Sequence, residues 1–254
     1  KLSIPNNLAT QSKWIMFEGP VLENDVIAYR YYADSRHRFD IYAKSVTDLV
    51  MDTVSWNYHN IMDWGSDVLK VGNSLGIGSP AIWYQDSLYT LSKSANKELI
   101  VVENGDNQST IRTTFIDLEI AGQKMDLIQD WSLAAGQPYS TIGLKITKGQ
   151  LPQGAYFATG IVKHIETDQT GENGNKFYTY TWGKQSFHKD YMGMAIFADK
   201  KLQPEKIKDD LTHTYIFKNA PNEVEYAFLA AWEKGNSQVK SEEDFKKVIE
   251  KHVK

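Results

Sequence analysis

The sequence contains no cysteine, and this absence removes several classes of chemistry. Disulfide bonds, thiolate nucleophiles and cysteine metal sites are all excluded. The chain also lacks any apolar run near the length of about 18 residues that a membrane-spanning helix needs. Lysine and arginine are scattered along a chain of formal net charge -4, which argues against a groove for nucleic acid.

The chain does not begin with methionine, and we therefore expect a mature or trimmed form, in which a removed export signal would leave no trace. The lack of cysteine is compatible with export, since many exported bacterial proteins have no disulfides. The expected location is periplasmic or secreted.

Aromatic residues are abundant, at 12 % of the sequence with 14 tyrosines and 7 tryptophans. Such residues fill β-sheets, and their faces also stack on the apolar C–H faces of sugar rings. Composition alone leaves both interpretations open. Hydrophobic residues make up 41 % of the 254 residues, which is enough for a substantial core.

Most of the chain has the composition and alternation of β-strands. Strands are predicted at 25–33, 38–45, 98–105, 109–120, 139–147, 155–165, 176–185, 191–199, 213–218 and 223–235. Turn clusters such as ENGDNQ and TGENGN separate them. So many long strands predict an all-β fold, a large antiparallel β-sandwich of stacked sheets that forms one domain over residues 1–254.

Three segments depart from this pattern. The C-terminal stretch SEEDFKKVIEKHVK predicts a helix, because Ser241 with Asp244 resembles a capping box and Phe245, Val248, Ile249 and His252 share one helical face. Residues 45–64 are expected to include a short helix. Residues 122–140 fit either a bulged strand or a long hairpin.

The first candidate site residues lie in FEGPVLENDVIAYRYY. On the predicted strand, alternation places Ala28, Arg30 and Tyr32 on the face opposite Ile27, Tyr29 and Tyr31. A guanidinium on a concave sheet face can clamp a carboxylate through two parallel hydrogen bonds. The alternative is a structural salt bridge between Arg30 and Asp25 or another acid.

The second candidate is the stretch SWNYHNIMDWGSDVLKVGNSLGIGSP. It brings His59 together with Tyr58, Trp64 and Asp67, and a histidine can move protons near neutral pH. Its glycines match no phosphate-binding or dinucleotide-binding fingerprint. The alternative is a histidine that binds a loop carbonyl.

The third candidate combines GIVKHIETD with YTWGKQSFHKD. We expect His164 to share a strand face with Gly160 and Val162, and a neighbouring strand to carry Trp182, Lys184 and Gln185. A histidine, a tryptophan platform and a lysine would suit a sugar site. A surface histidine beside Glu166 is the alternative.

Metal and cofactor motifs are scarce. The acids Glu23, Asp25, Asp63 and Asp67 offer oxygen ligands for calcium, but neither EF-hand spacing nor a zinc motif occurs. No G-x-S-x-G elbow of a serine hydrolase occurs either. We expect no organic cofactor and treat calcium as an open alternative.

The order of ENDVIAYRYY, FDIYAKS, YHNIMDWGSDVLKVGNSLGIG and IRTTF resembles a bacterial family catalogued as a domain of unknown function. Members carry a Trp-Glu-Asn-Asp-Arg-x-Ala-x-Arg run, then Tyr-His and a Gly-x-Asp-x-(Tyr or Leu)-Lys-Val-Gly-x-(Ser or Thr)-Leu-Gly run. The resemblance is clearest over residues 18–118. This chain lacks the tryptophan before Glu23 and has Val26 where the family has arginine.

The resemblance implies a β-sandwich like those of sugar mutarotases and some polysaccharide lyases. It also implies an origin in Bacteroidota gene clusters that degrade acidic polysaccharides. The expected activity is C4–C5 elimination from a uronic-acid-containing oligosaccharide, by a dehydratase or a lyase. A mutarotase-like or epimerase-like enzyme and a non-catalytic glycan-binding module are the alternatives.

The elimination assigns a role to each candidate residue. Arg30, helped by Asn24, would neutralise the carboxylate, while His59 and His164 would serve as base and acid, with Tyr58 or Lys184 as substitutes. The expected substrate-binding residues are Trp64, Trp182, Asp67, Arg112 and Gln185, with Asn24. This scheme requires Arg30, His59 and His164 to converge on one hollow.

Overall fold

A computed structural model of the chain describes residues 2–3 and 16–253. Its strands are β1 (Leu2–Ser3), β2 (Val21–Glu23), β3 (Ile27–Tyr31), β4 (Phe39–Lys44), β5 (Gly65–Asp67), β6 (Ala81–Tyr84), β7 (Ser87–Thr90), β8 (Asn96–Asn104), β9 (Gln108–Ile120), β10 (Gln123–Ala134), β11 (Tyr139–Lys148), β12 (Tyr156–Val162), β13 (Gln169–Asn173), β14 (Lys176–Lys184), β15 (Tyr191–Asp199), β16 (Pro204–Ile207), β17 (Thr212–Phe217) and β18 (Glu223–Trp232). A short 3-10 helix spans Lys200–Leu202, and the helix α1 spans Glu242–His252.

The strands form three antiparallel sheets in two layers. The large sheet has nine strands in the order β1-β8-β9-β10-β11-β18-β15-β14-β13. Facing it are a five-stranded sheet, β16-β17-β12-β6-β7, and a four-stranded sheet, β2-β3-β4-β5. The main core draws buried residues from all three sheets, among them Trp131 and Phe228 of the large sheet, Phe157 of the five-stranded sheet and Phe39 of the four-stranded sheet. This architecture confirms the predicted all-β sandwich.

Residues 76–78 join the two smaller sheets into one layer. The Ile77 N–H donates to the Phe39 carbonyl of the four-stranded sheet at 3.4 Å, and the Gly78 N–H donates to the Gly160 carbonyl of the five-stranded sheet at 2.9 Å. Gly78 has φ of +66°, and a Cβ there would lie 2.3 Å from the ring of Phe228 in the opposite layer. Only glycine allows the backbone to approach that ring so closely.

The helix α1 covers part of the outer face of the large sheet. Ser241 caps it by accepting a hydrogen bond from the Asp244 N–H, as its sequence predicts. Phe245 and Ile249 are fully buried in a second hydrophobic cluster with side chains of β14, β15 and β18. The predicted terminal helix and its apolar face are confirmed.

All ten predicted strands are present. Most of their observed ends differ from the predicted ends, by one to three residues. Residues 123–134 form β10, with a register shift between Asp126 and Leu127, so the bulged strand is the correct alternative there. The short helix expected within 45–64 is wrong, because turns, bends and an isolated bridge occupy that segment. A single domain over 1–254 stays a prediction, since part of that range lies outside the described residues.

No helix among the described residues is both long enough and apolar enough to cross a bilayer.

Candidate active site

The outer face of the four-stranded sheet carries a buried charged network. Alternation along β3 and β4 sends Ile27, Tyr29, Tyr31, Phe39 and Ile41 into the main core, as predicted for β3. The opposite face therefore presents Arg30, Tyr32, Asp40 and Tyr42. The segment 45–64 packs over this face through Met51, Val54 and Tyr58, and residues 16–17 pack against the same cluster.

Arg30 is the centre of this network and is only 2 % exposed. Its Nη2 donates to Asp67 Oδ2 at 3.0 Å and also bonds Asp40 Oδ2 and the Tyr32 hydroxyl. The guanidinium lies over the rings of Tyr32 and Tyr42, with its Cζ 4.3 and 5.1 Å from their centroids. Burial opposes this charge, yet the two carboxylates hold the pKa of Arg30 well above its usual value.

The pKa of Asp40 is also raised, which for a carboxyl group favours the neutral form. Burial, followed by the charge of Asp67, raises the pKa of Asp40 to about 6, although Arg30 partly offsets both effects. Two carboxylates therefore share one guanidinium, and one of them binds a proton in mildly acidic solution.

His59 connects this network to solvent. Its side chain is 53 % exposed, and Nδ1 lies 3.1 Å from Oδ2 of the buried Asp67 carboxylate. The hydrogen bond to Asp67 raises the pKa of His59 above its ordinary value. Since the carboxylate only accepts, Nδ1 must carry a proton, and Nε2 is left for a ligand.

Tyr58 packs beside His59, with ring centroids 4.4 Å apart. Its hydroxyl donates to the Met16 carbonyl at 3.2 Å. Burial raises the pKa of Tyr58, and the nearby charge of Arg30 only partly offsets this rise. Trp64 is half-buried, and its ring centroid lies 6.2 Å from that of Tyr42.

The loop 185–190 of the large sheet crosses to the edge of β5 beside His59. The Phe187 N–H donates to the Val68 carbonyl at 2.7 Å, and His188 Nε2 lies 2.8 Å from Ser66 Oγ. The Phe187 ring, 51 % exposed, lies 5.9 Å from that of His59. Phe187 and His188 lie within the third candidate stretch, YTWGKQSFHKD, but sequence reasoning did not select them because no motif marks either residue.

The structure brings together five of the predicted site residues, namely Arg30, Tyr58, His59, Trp64 and Asp67. The expected role of Arg30 as a clamp for a ligand's carboxylate needs correction. The carboxylates that it pairs are those of Asp40 and Asp67, and the structural salt bridge left open by the sequence is the arrangement found.

His164 lies near this group but does not join it. The strand expected to run to residue 165 ends at Val162, and His164 Nε2 bonds the Lys70 carbonyl at 2.8 Å. Lys70 follows Asp67 by three residues in the chain, so His164 binds the same segment farther along. The expected convergence holds for Arg30 and His59 only.

The strand carrying Trp182 and Lys184 is not a neighbour of the His164 strand, contrary to expectation. β14 belongs to the large sheet, and β12 pairs with β17 and β6 in the five-stranded sheet. Trp182 stacks on Tyr191 at 6.1 Å and contacts Phe245 of α1. Lys184 lies over the Tyr191 ring, so both residues belong to the outer face of the large sheet.

Three further predicted residues have structural partners. Asn24 accepts from the Val26 and Ile27 N–H groups and donates to the Ala134 and Gln137 carbonyls. Arg112 forms a two-bond pair with Asp130 on the large sheet. Gln185 accepts from Thr181 and donates to the Met192 carbonyl, which anchors the loop 185–190.

Three of the four acids considered for calcium, Glu23, Asp25 and Asp67, are held by donors of the protein. Glu23 accepts from the Val50 and Met51 N–H groups and pairs with Lys44, and Asp25 accepts from Gly136. Within residues 16–253 no group of three or more histidine, aspartate or glutamate side chains has a metal-binding arrangement. Calcium binding stays an untested prediction.

Comparison with solved structures gives distant similarities. α-N-Acetylgalactosaminidase NagBb from Bifidobacterium bifidum in complex with GalNAc has a TM-score of 0.39 at 8 % identity, over 86 % of this chain and 36 % of that chain. Its quadruple mutant has a TM-score of 0.40 at 8 % identity, over 92 % and 39 %. The α-galactosidase from Lactobacillus brevis has a TM-score of 0.36 at 9 % identity, over 86 % and 40 %.

This chain thus spans about two fifths of the length of those glycosidases, and likeness of this degree carries no conclusion about activity. No curated protein matches the chain significantly.

The sequence model of one family matches residues 2–254, nearly the whole chain. Its description is a domain of unknown function, as the motif order predicts, whereas the Bacteroidota origin and the exported location stay predictions. The chain belongs to the family of the domain of unknown function DUF4861.

Proposed function

We propose that this protein is an enzyme that eliminates across C4 and C5 of a uronic-acid residue in an oligosaccharide. The observation that carries the proposal is the half-exposed imidazole of His59, bonded through Nδ1 to a buried carboxylate. A histidine oriented in this way by an acid is a common proton-transfer unit.

In this reaction His59 is the general acid. The hydrogen bond to Asp67 raises the pKa of His59 and favours its imidazolium form, in which Nε2 carries the proton that is donated. A base removes the C5 proton, the electrons form the C4–C5 double bond, and the C4–O bond breaks. The departing oxygen takes the proton from His59, which releases water in a dehydratase or a shortened sugar in a lyase.

Arg30 acts through Asp67 rather than by touching the substrate. It binds the same carboxylate oxygen that His59 binds, and it anchors that carboxylate against the sheet. The Phe187 ring lies beside His59, and Trp64 packs against the cluster that contains Tyr58; both aromatic side chains suit contact with the C–H face of a sugar.

The proposal of a uronate substrate is supported by the sequence resemblance, and the placement of the motif residues supports a shared site. The END-x-x-A-x-R run contributes Arg30, the Tyr-His pair contributes Tyr58 and His59, and the Gly-x-Asp run contributes Asp67. Residues from three separated motifs thus meet at one place. A shared site explains why these particular residues occur together in the chain.

The test is incubation with saturated oligosaccharides of glucuronate, galacturonate or mannuronate, with absorbance of a conjugated carboxylate as the readout. We expect the absorbance to grow with the wild-type protein. The variant H59A should lower kcat by roughly 10²- to 10⁴-fold, the usual contribution of a positioned acid or base. Because His59 is half-exposed, the melting temperature of H59A should stay close to that of the wild type.

The matched control is N60A, which truncates the exposed neighbour of His59 in the same loop and should keep full activity. Binding of these oligosaccharides without growth of the absorbance would contradict the proposal and support a glycan-binding module instead.

A further inference from the structure

The elimination needs a base as well as an acid, and His59 supplies only the acid. On the premise of the proposed function, we propose that His188 is the base that removes the C5 proton. No sequence motif marks His188, and it reaches the site from the opposite layer of the sandwich.

Position is the first argument. Ser66 and Asp67 are successive residues of the edge strand β5, so their side chains leave opposite faces of that strand, and they bind His188 and His59 respectively. The exposed Phe187 ring is near both imidazoles, with its centroid 5.9 Å from that of His59 and 5.3 Å from that of His188. Two imidazoles near one exposed aromatic ring at the edge of β5 suit a sugar that contacts the ring and exchanges protons with both.

The hydrogen bonds of Ser66 allow the tautomer of His188 that a base requires. Ser66 Oγ lies 3.1 Å from the Asp67 carbonyl and 3.4 Å from the Tyr58 carbonyl, which are both acceptors. The hydroxyl proton can therefore go to a carbonyl, which leaves Oγ to accept from His188 Nε2 at 2.8 Å. In this tautomer Nδ1 keeps its lone pair, and no described residue bonds it.

The hydrogen-bond partners of the two histidines fit the roles of His59 as acid and His188 as base. Asp67 is a carboxylate and stabilises a protonated His59. Ser66 is a hydroxyl that binds His188 through Nε2 alone, so Nδ1 is the nitrogen that faces the substrate. After elimination His188 holds the C5 proton and His59 has lost one. Exchange with solvent water restores both, so no other reactant is required.

The loop that carries His188 is built to hold its position. Gln185 binds Thr181 and the Met192 carbonyl at its start, and Ser186 Oγ accepts from the Asp190 N–H at 2.8 Å. In its middle the Phe187 N–H bonds Val68. These bonds hold a half-exposed aromatic ring in solvent beside His59, which gives a preorganised wall for a ligand.

The test compares H188A with K189N in the elimination assay. Lys189 is the exposed neighbour in the same loop, and its φ of +62° is one that asparagine tolerates, so K189N should keep full activity. We expect H188A to lose roughly 10²- to 10⁴-fold in kcat with an unchanged melting temperature. Added imidazole should restore part of the activity of H188A, which a merely structural role would not allow.

The pH profile provides the second readout. A base must be unprotonated and an acid protonated, so H188A should lose the fall in kcat on the acidic side, while H59A should lose the fall on the alkaline side. Histidine side-chain NMR of the wild type with a saturated uronate oligosaccharide should show shifts at His59 and His188.

The outcomes separate this inference from the proposed function. If the wild type is active and H188A keeps activity within a factor of two, or if H164A is inactive instead, His188 is not the base although the reaction stands. If the wild type neither forms the absorbing product nor shifts its histidine resonances, both the function and the role of His188 fail.

Discussion

At the scale of single residues, Asp67 decides what His59 can do. One oxygen of its carboxylate accepts from both Arg30 and His59, so the charge that orients the imidazole is itself fixed by a buried cation. A free aspartate in solvent would hold the imidazole less firmly, because its side chain would have to be ordered at each encounter.

The variant D67N tests this dependence. Asparagine keeps an acceptor oxygen but lacks the negative charge that favours the imidazolium, so the pKa of His59 should fall. In the enzyme assay the alkaline limb of the pH profile should then move to lower pH. Histidine NMR titration measures the pKa directly. The control D63N removes an exposed carboxylate from the same segment and should leave the titration unchanged.

Arg30 is a residue whose removal should strongly destabilise the fold. R30M leaves the buried carboxylates of Asp40 and Asp67 without their cation, which typically costs about 3–5 kcal/mol. Urea unfolding at pH 8 should show this loss. Because the pKa of Asp40 is raised to about 6, its carboxyl takes up a proton as the pH falls below that value, and the loss should shrink at pH 5.

The comparison for R30M is R112M, which breaks an Arg–Asp pair that is more than a third exposed on both sides. Such surface pairs contribute about 1 kcal/mol or less. Equal losses for the two variants would show that the Arg30 network is no more important to folding than a surface pair.

At the scale of elements, the strands were predictable because each one carries its own alternation of apolar and polar residues. The same holds for α1, whose cap and apolar face are written in one short stretch. The helix predicted within residues 45–64 was wrong because the apolar residues of that segment pack over the four-stranded sheet from turns, not from a helix. Pairing partners were not predictable: nothing local in β12 or β14 tells that the two strands belong to different sheets.

Contacts between distant segments were equally unpredictable at the candidate site. Arg30, Tyr58, His59 and Asp67 could be selected as site residues because they stand in recognisable motifs. His188 could not, since its only signal is proximity to β5, which depends on how the large sheet meets the edge of the smaller one. Arg30 was correctly predicted to lie with Tyr58 and His59, but its expected role as a clamp for a ligand's carboxylate was wrong. The sequence does not reveal that Asp40 and Asp67 surround it.

The cap of α1 gives a prediction at this scale. S241A removes the side-chain acceptor for the Asp244 N–H and should lower the free energy of unfolding by about 1 kcal/mol, whereas S241T keeps an acceptor and should lose only a fraction of that. Thermal unfolding followed by circular dichroism measures both. An unchanged S241A would show that packing of Phe245 and Ile249 alone sets the stability of the helix.

At the scale of the whole molecule, the second layer depends on the joint at residues 76–78. G78A places a methyl group against Phe228 and should cost several kcal/mol, from backbone strain and from overpacking together. G72A is the matched control, because Gly72 also has positive φ, of +56°, but open space around a Cβ. It should cost only about 1–2 kcal/mol. Equal costs in denaturant unfolding would contradict close contact between the layers at Gly78.

The loop 185–190 grows from one layer and ends against a strand of the other. The distance between the imidazoles of His188 and His59 therefore depends on how the two layers of the sandwich are aligned. A slip of one layer by a fraction of a residue would leave every strand intact and still separate the two rings. Turnover should consequently vanish at a lower denaturant concentration than the far-ultraviolet signal of the sheets.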